Sequence, residues 1–234
     1  MADWLEFNGI TSTALGVYML EPPPITISAE RVLIDQVPGR DGDLETPEKA
    51  LDPIALPALL YVRDLTNFNQ IAAWLRGRGW VRFGNLPNAR YKARSVTQIQ
   101  LDKVTRGREN RTFEVLFDCH PYRYVYPEAE AIEITASGTN VPNGQNAPSE
   151  PRLRIEGSGD FWVSINAQLM EFQGVSGGVI VDSELMDAFD LSESALLNNL
   201  ATMDEFPLLS PGVNLISWSG GVTKITVTPR WRNK

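Results

Sequence analysis

One cysteine, Cys119, and one histidine, His120, are all that 234 residues contain of either kind. A single thiol rules out an internal disulfide, and one thiol beside one imidazole makes no Cys/His zinc set. A Ser-His-Asp triad would have to run through His120, and neither a GxSxG elbow nor a GxxxxGK[ST] phosphate loop occurs. Nucleophilic Cys–His pairs meet across a fold rather than as sequence neighbours, so Cys119 reads as a half-buried thiol at a strand end. No apolar run approaches the ~20 residues that span a bilayer, which argues against a membrane partner. The stretch "MADWLEF" carries acids where a secretory signal is basic, and no apolar segment follows. Synthesis and folding in a cytoplasm are therefore expected. Acid pairs such as Asp182/Glu184 and Asp204/Glu205 stand in loop-like contexts, and 29 acidic residues generate such pairs by chance. The expectation is a chain with no catalytic residues, no metal and no cofactor.

What the sequence does contain is β pattern and turn residues. A hydrophobic content of 43% suits a globular chain, and the length suits one large or two ordinary domains. Charge divides it. Residues 1–126 hold 15 basic and 15 acidic side chains, whereas residues 127–234 hold 6 basic and 14 acidic. This break places a boundary at Tyr126-Pro127, giving domains 1–126 and 127–234. An acidic second half repels nucleic acid and anionic membrane.

In the first half, "LEFNGITSTALGVYMLE" reads as two strands around an Asn-Gly turn, and Pro22-Pro23-Pro24 stiffens the connection that follows. "ITISAERVLIDQV" alternates weakly as a strand. "IALPALLYV" is a buried strand in which Pro57 demands an edge or a bulge. One helix is expected over about 67–76, capped by Asn67 with Gln70 reaching back, and with Phe68, Ile71, Ala72 and Leu75 as its apolar stripe. Gly77 ends it. "WVRF", "ARYKARSVTQIQLDKV" and "NRTFEVLFDC" then form hairpins joined by "GNLPN" and "TRGRE". The second half reads as seven short strands, "GSGD" at Gly157–Asp160 being a hairpin turn between two of them. "LSESALLNNLATMDEF" reads as an irregular excursion. Regular short strands argue for an antiparallel sandwich.

Three features raise questions of function. In "IDQVPGRDGDLETPEKALDP", Asp41, Asp43 and Glu45 alternate as calcium ligands do. Counted from Asp41, however, position 6 is Thr46 and position 12 is Asp52, where an EF-hand needs Gly and Glu. The stretch reads instead as strand, turn, strand. Residues 76–111 carry ten Arg and Lys against Asp102 and Glu109, the electropositive segment of the chain. Aromatic interleaving is too thin there for a nucleic-acid platform. Trp162 and Trp218 fall in sandwich strands, where an exposed indole stacks on sugar rings and a buried one fills a core. In "DFWVSIN", Phe161 and Trp162 point to opposite faces.

Two motifs together carry a resemblance. "FNGITSTALGVYM" followed by "VPGRDGDL" resembles the opening of the distal tail protein (Dit) family, found at the tail tips of long-tailed, non-contractile phages. "FPLLSPGVNLISWSG" with "ITVTPRWR" resembles the close of that family, and "GSGDFWVSIN" and "VIVDSE" resemble the middle of its second domain. The resemblance implies a mainly β protein: an N-terminal β-rich ring-forming domain with one α-helix, and a C-terminal galectin-like antiparallel β-sandwich. It implies a homohexameric ring at the distal end of the tail. The ring joins the tail tube protein to the tail-tip hub, or tail-associated lysin, and in some members carries receptor-binding proteins. The long insertions some members use to grip such partners are missing here. On this reading Arg40 and Asp41 lie at an inter-subunit contact in an extended arm. Arg78, Arg90, Arg94 and Arg106 face the ring lumen or an acidic tube rim, with DNA at most an indirect contact through the lumen. The alternatives are a tail-tube subunit, and a carbohydrate-binding adhesin working through Trp162 or Trp218.

Overall fold

The computed structural model describes residues 3–36, 38–39, 41–62, 66–95 and 111–234. It divides into two units, Met1–Tyr126 with Lys234, and Pro127–Asn233. The fold is mainly β, with one short α-helix among the described residues.

The first unit contains β1 (Leu5–Phe7), β2 (Ile10–Thr11), β3 (Val17–Glu21), β4 (Glu30–Asp35), β5 (Leu44–Leu51), β6 (Ile54–Val62), α1 (Phe68–Trp74), β7 (Arg78–Phe83), β8 (Ala89–Ser95), β9 (Arg111–Cys119) and β10 (Arg123–Val125). An antiparallel sheet runs in the order β2-β1-β7-β8-β9-β6-β3, and β10 adds to β8. Strand β3 approaches the residues just before β1, since the Met19 N–H donates to the Asp3 carbonyl at 2.8 Å. The expected Asn-Gly turn forms with both residues left-handed, Asn8 at φ 52° and Gly9 at φ 77°. A 3-10 turn over Ser12–Leu15 then interrupts what the sequence suggests is one strand.

Strand β6 buries every second side chain, from Ile54 to Val62, as its alternation requires. It pairs β9 along its whole length, but β3 reaches only to Leu59. Pro57 thus sits where β6 has one neighbour, and its missing N–H leaves no gap in a ladder. Helix α1 departs from expectation in two ways. Asn67 makes no side-chain cap, and the buried stripe is Ile71, Trp74 and Leu75, whereas Phe68 is exposed. Trp74 shifts the stripe because its indole N–H donates to the Phe7 carbonyl at 2.9 Å, tying the helix to β1. The loop and strand end read in "VTQIQLDKVTRGREN" lie outside the described residues.

The second unit contains β11 (Ile132–Ile134), β12 (Thr139–Asn143), β13 (Arg152–Ile165), β14 (Gln168–Val175), β15 (Gly178–Asp182), β16 (Asp187–Phe189), β17 (Ala201–Met203), β18 (Gly212–Thr228) and β19 (Arg232–Asn233). The expected hairpin at "GSGD" is absent: the stretch is a bulge inside the single strand β13, and "SWSGGV" likewise lies inside the single strand β18. The two strands pair along both halves, with Ser158–Asp160 looped out opposite Gly221. A glycine-rich stretch between two strand patterns reads the same for a turn and for a bulge, so only the partner strand decides it. Each long strand serves two layers: β15 and β11 flank one half of the pair, β14 and β12 the other. Leu153 and Ile155 from one half meet Phe161, Val163 and Ile165 from the other in one core. The sandwich is built by folding one sheet over at its bulge.

Buried polar groups knit its ends. Asn214, in the Pro-Gly-x-Asn turn, is fully buried; its amide donates to the carbonyls of Val141 and Ser210, and its Oδ1 accepts the Ser210 N–H at 2.8 Å. Arg232, almost wholly buried, donates to the Pro148 carbonyl and pairs with Glu150 at 2.8 Å. These residues stand in the stretches that resemble the close of the family, and their work here is structural.

Candidate functional site

Strand parity in the first unit separates two faces. Val81, Phe83, Tyr91 and Ala93 point into the core. The alternate positions of β7 and β8 carry Arg78, Trp80, Arg82, Arg90, Lys92 and Arg94 on the other face. Cations and rings interleave there. The Arg82 guanidinium carbon lies 3.6 Å from the Tyr126 ring centre and 5.3 Å from that of Trp4. That of Arg90 lies 3.8 Å from Trp80, and the Lys92 ammonium is 4.9 Å from Tyr124. Arg82 also pairs with Glu6 at 3.0 Å, and Arg94 with Asp118 at 2.7 Å. Stacking spreads each cation over an electron-rich ring and fixes the guanidinium planes.

The register sets like charges opposite each other. Arg78 is the cross-strand partner of Arg94, and Arg82 lies close enough to Arg90 for its charge to act on it. Directly opposed like charges weaken a sheet. Burial pushes Arg90 down from its ordinary pKa; the nearby Tyr126 acts upward, and the Arg82 charge pushes it further down. The guanidinium stays protonated at neutral pH, so the face keeps its charge.

The second feature is an arm. Among the described residues, strands β4 and β5 pair only with each other, in a separate two-stranded sheet. Every residue of β4 is exposed. Ile27, Leu33, Ile34 and Leu44 are all open to solvent, Ile34 at 60%. At the base of the arm, the Asp52 N–H donates to the Ala29 carbonyl, and Arg31 pairs with Asp52 at 3.0 Å. A lone hairpin with apolar side chains on both faces has too little of its own core to cover them.

The residues expected to matter fall as follows. Asp41 is exposed in the connection between β4 and β5. Arg40 and Arg106 lie outside the described residues. Arg78 and Arg94 are exposed and Arg90 half-buried, all three on the cation face. Trp162 is 36% exposed, whereas Phe161 is buried. Trp218 is half-buried against the core of the second unit. Cys119 is more buried than expected, at 1% exposure, and burial pushes its thiol up to about 12, with Asp118 adding to the shift. A thiol held neutral is a poor nucleophile. No cluster of three His, Cys, Asp or Glu occurs among the described residues.

Sequence reasoning missed the role of the aromatic side chains in the basic segment. The signal was present: Trp80, Arg82, Arg90 and Lys92 are spaced at twos on neighbouring strands. The partners Trp4, Tyr124 and Tyr126 come from distant stretches, which only the pairing brings alongside.

No family model matches the chain, and no curated protein sequence matches it. Solved structures do match. The structure of the phage p2 baseplate in its activated conformation with Sr covers 97% of this chain and 98% of its own, at 10% identity and a TM-score of 0.49. The crystal structure of the SPP1 Dit (gp 19.1) protein, described as a paradigm of the hub adsorption apparatus in phages that infect Gram-positive hosts, covers 96% of this chain and 97% of its own, at 14% identity and a TM-score of 0.74. From end to end, through both units, the chain has the fold of the SPP1 Dit protein.

Proposed function

We propose that this chain is a structural protein of a phage tail tip. Copies close into a ring, six by the family resemblance, that joins the tail tube to the hub and the host-adsorption apparatus. The observation that carries the reading is the likeness to the SPP1 Dit protein over 96% of the chain. The protein is made in the host cytoplasm and resides in the virion at the distal end of the tail. The reading assigns it no catalysis.

Two features support it. The arm presents Leu33 and Ile34 exposed among the described residues, which suits a docking site on the neighbouring copy. Head-to-tail contacts of that kind generate closed rings when their rotation closes. Asp41, in the connection of the arm, belongs to that contact. The cation face supplies a second surface, complementary to an acidic rim of the tube or the hub.

The test is the mass of the purified chain by light scattering, with negative-stain images of the same fraction, alone and mixed with tube protein. Rings of six, or stacked pairs of them, are expected. A chain that stays monomeric in both samples overturns the reading.

A further inference from the structure

The outward face of the second unit carries a groove that the ring does not call for. It is open, and Asp160, Trp162, Glu171, Gln173 and Ser219 line it. The register explains its shape. Trp162 on β13 has Glu171 of β14 beside it on one side and Ser219 of β18 on the other. Thr202 of β17 stands beyond Glu171. Two residues along the same strands, Ser164 and Ser217 are paired on the same face. Glu171 flanks the indole on one side, while Ser219 on the other and the Ser164–Ser217 pair next along the face are small, and Trp162 keeps 36% of its surface exposed. The bulge at Gly157–Phe161 ends the groove, and Asp160 is held there by accepting the Gly174 N–H at 2.8 Å.

We propose that this groove is a saccharide subsite, with Trp162 as the stacking platform. The chemistry matches a pyranose. Its C–H face is apolar and lies flat on an aromatic ring, while its equatorial hydroxyls radiate at the rim, where they meet acceptors and donors. Glu171 and Asp160 are acceptors only, and the sugar's hydroxyls donate to them. The Gln173 amide and the Ser219 hydroxyl take the remaining positions. Two carboxylates in a unit with an acidic surplus repel an anionic sugar, so the ligand is a neutral glycan. Trp218 takes no part, because it packs inward against the core. The site belongs to the second unit's sheet and does not depend on the ring.

The experiment uses the full chain and a panel of β-linked disaccharides of galactose, glucose and N-acetylglucosamine, with sialyllactose as the anionic comparison. Binding is read by titration calorimetry and by the indole N–H signals in NMR. At least one neutral disaccharide is expected to bind and to move a single indole signal, which disappears in Trp162→Phe. Trp162→Ala should weaken binding about tenfold. Leu169→Ala, on the same face but outside the groove, should leave it unchanged. No binding by any neutral disaccharide overturns the proposal. So does binding that Trp162→Ala leaves intact, or sialyllactose binding as tightly as the neutral sugars. Far-UV circular dichroism and the Trp162→Phe variant separate a lost site from a lost fold.

Discussion

Arg230 holds Asp182 with two parallel hydrogen bonds, 2.6 Å from Nη1 to Oδ1 and 2.7 Å from Nη2 to Oδ2. The carboxylate also accepts the N–H groups of Glu184 and Leu185, at 3.1 and 3.2 Å. It is 3% exposed, at the end of β15, and Arg230 follows the end of β18. Burial alone pushes the Asp182 carboxyl up, but the hydrogen bond and charge of Arg230, with the two backbone donors, outweigh it and hold the carboxyl below its ordinary value. A carboxyl depressed in the fold stabilises it above the unfolded pKa of about 3.9, and that contribution is lost as pH falls through the folded value. Asp182→Asn should therefore destabilise the second unit by about 2 kcal/mol at pH 7. This lies below the ~3–5 kcal/mol of a fully buried pair, because Arg230 keeps some solvent and Glu184. Urea unfolding of both proteins across pH 2–7 checks it: the gap should be constant above pH ~4.5 and close in acid.

The fold-over of the sandwich depends on the close approach of two backbones. A Cβ on Gly221 would lie 2.1 Å from the Ser158 carbonyl oxygen, which is backbone and has nowhere to move. Gly221→Ala should destabilise the second unit by about 2 kcal/mol or more, through strain that spreads along both long strands. Gly144 has open space around it, and Gly144→Ala should stay within about 0.5 kcal/mol of the parent. Thermal unfolding of the two variants separates them.

Trp74 is the joint between α1 and β1. Trp74→Phe removes the donor to the buried Phe7 carbonyl and leaves a gap beside it, which should cost about 1–3 kcal/mol. Asn67→Ala should cost only a few tenths, since Asn67 makes no side-chain cap. Chemical denaturation of both variants ranks them, and the order is the reverse of what the capping pattern in the sequence suggests.

That reversal shows where the sequence was legible and where it was not. Strands with a steady period of two, such as β6 and β9, could be read directly, because alternation fixes which face is buried. Pro57 even marked the part of β6 with a single neighbour. The helix could be read as a helix, but not its buried side, since Trp74 is set by a carbonyl 67 residues away in the chain. Gly157–Asp160 looked like a turn because local chemistry is the same for a bulge. The face of Trp80, Arg82 and Arg90 was visible as a run of charge. Its rings were not, since Tyr124 and Tyr126 join it only through β10.

The arm predicts a separation between folding and association. Ile34 is exposed in a strand whose one pairing partner among the described residues is β5. Ile34→Gln, which adds no charge opposite Glu45, should leave the stability of the isolated chain unchanged within about 0.5 kcal/mol. Ring formation by the same variant, followed by light scattering over a concentration series, should fall by tenfold or more. A large loss of chain stability would mean that Ile34 belongs to the core instead.

Arg78 offers the sharpest separation of the two effects. It faces Arg94 across β7 and β8, and that opposition weakens the sheet. Arg78→Glu turns the repulsion into an attraction, so the isolated chain should gain up to about 0.5 kcal/mol. If the cation face meets an acidic rim, the same variant should bind tube or hub protein more weakly and with a shallower dependence on salt, because a charge that was screened in the wild type is gone. Stability by denaturation and binding at two ionic strengths are the measurements. A chain that becomes more stable and a complex that becomes weaker, in one variant, assign the arginine to the partner rather than to the fold. Unchanged binding at both salt concentrations would remove this face from the assembly and leave the arm as the surface that joins the copies.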